Sequence, residues 1–255
     1  MRLLTRSLLL LSAGVVFFLL AGLAATWAPD QPVSALTARW ARPPSQFLAV
    51  GALQVHLRDE GPRDDPTPIV LLHGTSDSLH TWDGWATALR GQRRVIRFDL
   101  PGFGLTGPDP RADYAIDAYV RFVLAVLDTL GVQQVVLGGN SLGGQIAWQT
   151  AYAQPQRVRQ LVLVDAAGYP RPPLDVPLAF RVARSWPLNQ LLEWVLPRGL
   201  VLASVRNVVG DPSAVTQEAV DRYYDMAVRA GNRRALVQRL AEPDPDQSER
   251  IRSPA

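Results

Sequence analysis

The chain has 255 residues, 47% of them hydrophobic, and a formal net charge of +3. This is enough for one sizeable domain plus an insertion. All 26 basic residues are arginine, scattered among 23 acids, which argues against a nucleic-acid patch, and the lack of cysteine excludes disulfides and thiolate metal sites.

Arg2 and Arg6 precede an apolar run from Leu8 to Ala25, broken only by Ser12. As a helix that run would span about 27 Å, close to the hydrocarbon thickness of a bilayer. Residues 1–28 are therefore expected to form a transmembrane anchor or signal. The flanking arginines predict a cytoplasmic N-terminus, with the rest in the periplasm or at the cell exterior. A cleaved signal and a secreted product are the alternative. Residues 29–46 are rich in proline and read as a linker, with Trp27 and Trp40 at a membrane interface.

Leu48 to Asp59 alternates around Gly51, as an antiparallel pair does. Ile69–Leu72 reads as a buried strand ending in His73-Gly74. Val95–Asp99 is a second, running into Asp99-Leu100-Pro101-Gly102-Phe103-Gly104. Apolar residues at 116, 120, 123, 127 and 130 predict an amphipathic helix closed by Gly131. Gln134–Leu137 is a short apolar strand, Leu142–Gln154 a helix stopped by Pro155, and Leu161–Asp165 the next strand. Strands alternating with helices predict a mostly parallel α/β sheet. After Tyr169 the texture changes. Prolines cluster at 170, 172, 173 and 177, and helical patterns over Gln217–Ala230 and Arg233–Leu240 flank Gly231.

Between strand and helix lies Gly139-Asn140-Ser141-Leu142-Gly143-Gly144. G-x-S-x-G in this position is a nucleophile elbow, a tight turn that lifts the serine above the sheet. Small neighbours are needed because the turn brings backbone segments close together. A serine hydroxyl needs a base, usually histidine, and an acid to orient it. The three histidines, His56, His73 and His80, all precede Ser141. No metal-binding cluster and no phosphate-cradling G-x-x-x-x-G-K-S/T motif occurs.

These segments resemble the α/β-hydrolase superfamily, in the branch with a single helical cap. The matching motifs are Leu71-Leu72-His73-Gly74-Thr75, Asp99 to Gly104, Gly139 to Gly144, and Leu161-Val162-Leu163-Val164-Asp165. They follow in the family's order across about residues 47–240. The resemblance implies Ser141 as nucleophile and an oxyanion hole from the backbone N–H groups of Thr75 and Leu142. It implies a core over residues 47–168 and a helical cap over 169–245. Residues 246–255 would then begin the rest of the core, whose last strands and catalytic histidine are expected to be missing, on the order of 60 residues.

Each other candidate has a plainer reading. His73 is expected to support the oxyanion loop, His80 to pack beside Trp82, and His56 to sit in an early strand. Asp165 is a possible triad acid, because some members place it after the sixth strand. Asp99 is expected to bond loop backbone. The functional expectation is a membrane-anchored serine hydrolase that acts, without cofactor or metal, on a small apolar ester. In this chain it would be inactive for want of its histidine. Carbon–carbon-bond hydrolysis is the runner-up, because Gly-Asn-Ser-x-Gly-Gly elbows occur among such enzymes, and a catalytically dead binding scaffold is the third reading. The cap, with Trp186, Leu191, Leu192, Trp194 and Val195, is expected to set substrate choice.

Overall fold

Four-residue strands rich in β-branched residues build the centre of the molecule. Ile69–Leu72 (β3) and Val95–Phe98 (β4) are buried at every position, as parallel strands covered on both faces must be. The computed structural model describes residues 2–169 and 178–243, with the side chains of 2–11, 15, 19 and 179 outside that description. The expected lead-in at 246–255 and the proline cluster at 170–177 lie outside the described residues. Before β3 come α1 (Arg2–Thr26), α2 (Val33–Trp40), β1 (Gln46–Val50) and β2 (Leu53–Glu60). After it come α3 (Asp83–Leu89), β4, α4 (Ile116–Thr129), β5 (Val135–Asn140), α5 (Leu142–Ala153) and β6 (Val158–Val164).

The six strands form one sheet in the order β1-β2-β4-β3-β5-β6. Both pairs made by β2 are antiparallel and the remaining three are parallel. The α/β fold expected from the sequence is therefore present, and β5, which carries the elbow, lies inside the sheet. Helix α4 presents Val123, Val126 and Leu127 to Leu57, Phe98 and Leu137 in the main core. Past β6 the chain is helical: α6 (Leu178–Ala183), α7 (Leu188–Leu191), α8 (Arg198–Val208), α9 (Gln217–Val228) and α10 (Asn232–Ala241). Val201 and Val205 of α8 close with Val220 and Val228 of α9 into a separate small core.

The membrane anchor does not survive. Among the described residues no helix is long and apolar enough to cross a membrane. The expected cytoplasmic N-terminus and extracytoplasmic core fall with the anchor. The C-terminal end of α1 instead meets protein. The Leu196 N–H donates to the Thr26 carbonyl at 2.9 Å, and the Ala28 N–H to that of Trp194 at 2.9 Å. Trp27 stacks on Trp194 with ring centroids 5.6 Å apart.

The linker is also more structured than a tether. Helix α2 lies within it, and Trp40 is buried, its indole N–H donating to Asp225 at 2.8 Å. Trp40 therefore sits at a protein contact and not at a bilayer surface.

Candidate active site

Ser141 stands where β5 ends and α5 begins, with φ +49° and ψ −116°. A non-glycine residue there is strained, and such strain concentrates where the surroundings over-determine the backbone. Three backbone bonds do so. The Ser141 N–H donates to the Val164 carbonyl at 3.1 Å, and its own carbonyl accepts from Gln145 and Ala167 at 3.0 Å each. The glycines make the turn sterically possible: a Cβ on Gly143 would overlap the backbone carbonyls of Leu72 and His73. On the other side, a Cβ at Gly74 would lie 3.3 Å from the Ser141 Cβ, so the loop after β3 touches the serine.

That loop carries Thr75. Neither the Thr75 nor the Leu142 N–H donates a hydrogen bond among the described residues. Leu142 is the first residue of α5, where the helix leaves its N–H groups open. Ser76, the residue after Thr75, is held at φ +61°, and its buried hydroxyl has no partner among the described residues. The Tyr223 hydroxyl on α9 donates to the Asp77 carboxylate at 2.6 Å, while the other oxygen of Asp77 accepts the Ser78 N–H at 2.7 Å. Burial, then the nearby Asp77 charge, push the Tyr223 phenol well above its ordinary range. Helix α9 and the loop after β3 are thus tied together.

No histidine reaches Ser141. His73 is fully buried, bonded to the Gly74 carbonyl at 2.8 Å and accepting the Leu100 N–H at 2.9 Å. With both ring nitrogens engaged, His73 braces the two loops beside the site. His56 contacts Asp99 at 2.7 Å and the Ser45 hydroxyl at 2.9 Å. His80 contacts the Ser78 hydroxyl at 3.2 Å and the Trp40 carbonyl at 3.0 Å.

Asp99 is a structural hub rather than an acid for Ser141. It is fully buried, and accepts N–H bonds from Leu79 and Leu105 at 2.7 Å each, besides the His56 contact. Burial alone would raise its pKa. The charge and hydrogen bond of His56, then the charges of His73 and His80, outweigh that and hold it far below the usual carboxylate range. Gly104 permits this packing: its φ is +53°, and a Cβ there would overlap the Asp99 carboxylate. Asp165 follows β6, one residue from the Val164 carbonyl that holds Ser141. It is exposed, at φ +45°, and its side chain makes no hydrogen bond or ion pair among the described residues.

His80 gives a pH prediction. Burial first, opposed by Asp99 and reinforced by Arg58, lowers its pKa from 6.5 to about 4, with Asp83 and Arg222 also facing it. As pH falls, the unfolded chain takes the proton before the folded one does. The stabilisation is therefore complete above pH 6.5 and is lost as pH falls from 6.5 toward 4. The urea-unfolding free energy of the wild type minus that of His80→Gln should shrink as pH falls through that window. A pH-independent difference would refute the assignment.

A cavity of about 120 Å³ opens beside the site. It starts at Thr75 and Ser76 and runs under the cap past Phe180, Leu192, Leu196 and Val205, while Ser141 itself does not line it. Of the cap residues singled out from sequence, Leu192 lines it. Trp186 is 80% exposed and Trp194 54%, and neither lines it, so these tryptophans are not pocket walls. Leu196, Val205, Tyr223 and Arg233 went unrecognised in the sequence, where only their apolar or basic character is visible. Groups of His, Asp and Glu able to hold a metal ion are absent among the described residues.

A family model described as alpha/beta hydrolase fold matches residues 67–205. A 2-hydroxymuconate semialdehyde hydrolase of Pseudomonas sp. strain CF600 is 31% identical over 189 residues, 73% of this chain and 62% of that protein. A 2-hydroxy-6-oxo-2,4-heptadienoate hydrolase of Pseudomonas putida is 29% identical over 205 residues, 78% of this chain and 68% of that protein. An uncharacterized protein of Mycobacterium tuberculosis is 39% identical over 138 residues, 54% of this chain. The chain spans only 39% of the length of the Mycobacterium relatives it matches. Among solved structures, a meta-cleavage product hydrolase from Pseudomonas fluorescens IP01 superposes with a TM-score of 0.62 at 25% identity, over 81% of this chain and 70% of that one. Cfl2 from Burkholderia cenocepacia reaches 0.68 at 22% identity, over 82% and 72%, and so attests the fold.

Proposed function

Because the chain belongs to the alpha/beta hydrolase fold family, we propose that it is built as a serine hydrolase of small apolar esters, working by acyl transfer through Ser141. The carrying observation is the strained serine at the mouth of α5 with two unpaired N–H groups, those of Thr75 and Leu142, on either side. In this reading the Ser141 hydroxyl attacks the ester carbonyl. The carbonyl oxygen becomes an oxyanion held by those two donors, and the alcohol leaves with a proton. The acyl arm lies in the cavity lined by Leu192, Leu196 and Val205. Asp165 remains a candidate acid by its place beside the elbow. The proton itself needs a base that the described residues do not bring to Ser141.

The test supplies that base as imidazole in the buffer. Imidazole-dependent hydrolysis of p-nitrophenyl hexanoate should exceed the protein-free imidazole rate, saturate in ester, and fall to that background in Ser141→Ala. A rate equal to that of Ser141→Ala would sink the reading. In the same assay Leu196→Ala should enlarge the cavity and shift kcat/KM toward longer acyl chains by about 1–3 kcal/mol, with Trp186→Ala near neutral.

Carbon–carbon-bond hydrolysis is the second reading, favoured by the names of the two Pseudomonas relatives. Imidazole-dependent bleaching of a 2-hydroxy-6-oxodienoate, without ester turnover, would select it.

A further inference from the structure

Away from Ser141, a second serine ends a chain of buried polar groups. Ser45 immediately precedes β1 and is half-buried. Its Oγ lies 2.9 Å from His56 Nε2, and His56 Nδ1 lies 2.7 Å from Asp99 Oδ2. His56 and Asp99 are fully buried, so the serine is the member of the three that solvent reaches. The backbone of His56 is fixed as well. Its N–H donates to the Thr106 hydroxyl at 3.0 Å, and its carbonyl accepts the Asp99 N–H at 2.9 Å.

The directions of these hydrogen bonds follow from what each group can donate. The ionised Asp99 carboxylate only accepts, so His56 Nδ1 donates to it. Arg58 has donors only, and its Nε donates to the Ser45 Oγ at 2.9 Å. The Ser45 oxygen is therefore an acceptor toward Arg58 and keeps its own hydrogen for His56 Nε2. A hydroxyl, a base within proton-transfer reach and a carboxylate that orients the base are the parts of an activated nucleophile. The Arg58 guanidinium adds a positive charge beside the oxygen, which favours the negative charge that develops as the proton leaves. Phe47 is 40% exposed, with its ring centroid 5.3 Å from that of His56, and presents a flat apolar surface beside the base.

We infer that Ser45 is a second reactive serine, activated by His56 and Asp99, which takes the acyl group of an activated aryl ester. In that step the bond from Ser45 Oγ to the acyl carbon forms and the bond from the acyl carbon to the aryl oxygen breaks. The Ser45 hydrogen passes through His56 Nε2 to the departing aryl oxide. The product is an O-acylated Ser45, one acyl group per chain. Ser45 and His56 meet the reacting atoms, and Asp99 is a positioning residue that acts through His56. The inference is independent of the preceding reading, because none of these residues is assigned a part in acyl transfer through Ser141.

The experiment reads the acyl group residue by residue. The full chain is treated with p-nitrophenyl acetate and no imidazole, quenched over time, digested and mapped by tandem mass spectrometry. Ser34, exposed on α2, serves as the unactivated reference in the same molecule. Ser45 should be acetylated roughly 10²-fold faster than Ser34. His56→Gln should bring the two rates together. If His56→Gln does not fold by circular dichroism, the wild type in denaturing urea decides, since the two rates should converge there too. The pH profile tests Asp99. His56 is faced by Asp99 from the loop after β4, by the His80 ring at 5.8 Å, and by Arg58 through Ser45. The Ser45 rate should fall with pH as His56 takes up a proton. Asp99→Asn should move that inflection about one unit or more lower, because the charge that favours the imidazolium is gone. A purely structural Asp99 would leave the inflection in place. Equal rates at Ser45 and Ser34 in the folded wild type, a Ser45 excess that survives His56→Gln or urea, or an unmoved inflection in Asp99→Asn would overturn the inference. Acetyl found on Ser141 bears on the preceding reading alone, because the two serines are read as separate peptides.

Discussion

A fluorophosphonate probe should label Ser141 of this chain only negligibly on the timescale at which complete serine hydrolases are consumed. The hydroxyl is strained into position and two N–H donors flank it. Positioning and oxyanion stabilisation do not remove its proton. The nitrogens of all three histidine rings are engaged elsewhere, at Gly74 and Leu100, at Asp99 and Ser45, and at Ser78 and Trp40. Loss of a triad base costs serine hydrolases up to about 10⁶ in rate and leaves about 10³ over water from the oxyanion hole and binding. Mass spectrometry of the probe adduct would read this directly. Robust labelling that disappears in Ser141→Ala would show that another group serves as base, and His80, the histidine with the lowered pKa, would be the first to substitute.

Asp99→Ala should be the most damaging single change in the core that leaves Ser141 in place. The carboxylate answers the N–H groups of Leu79 and Leu105 and the His56 ring, all inside the protein. Truncation strands all three donors and leaves a void that Gly104 cannot fill. Breaking a buried charged network of this kind costs about 3–5 kcal/mol. Against a typical total of about 5–15 kcal/mol, that is a drop in Tm of roughly 10 °C or outright failure to fold. Asp99→Asn keeps one carbonyl acceptor and should fall between. A thermal melt unchanged in Asp99→Ala would mean that water replaces the carboxylate, contrary to its full burial.

The core elements were legible because their signals are local. Ile69–Leu72 and Gln134–Leu137 read as strands from a continuous apolar run, and the elbow announced itself through glycines that only close backbone approach demands. The expectation that Asp99 bonds loop backbone was met by Leu79 and Leu105, although its pairing with His56 was not foreseen. Helix α2 was hidden by the prolines around it. Pro32, at its N-cap, suits a helix start rather than barring one. Trp186 and Trp194 misled because an apolar side chain on a short helix does not declare which face it occupies. Arg233 was one of 26 arginines, and nothing in its neighbours along the chain marks it. Its pairing with Asp30 spans 203 positions. The link from Tyr223 to Asp77 spans 146 positions. Such pairings follow from the fold and from no periodicity.

The segment ahead of β1 has a mechanical consequence. Residues 27–40 stack Trp27 on Trp194, pair Asp30 with Arg233, and fasten Arg39 to Asp221 and Asp225. The cap is therefore sewn down from both sides of the sheet's sequence: by its own connection after β6 and by a strip that precedes β1. A flap joined along one edge can swing as a hinge. A flap stitched along two must unzip one seam before it gapes. Any movement of the helical segment away from the sheet must therefore break the contacts of this N-terminal strip.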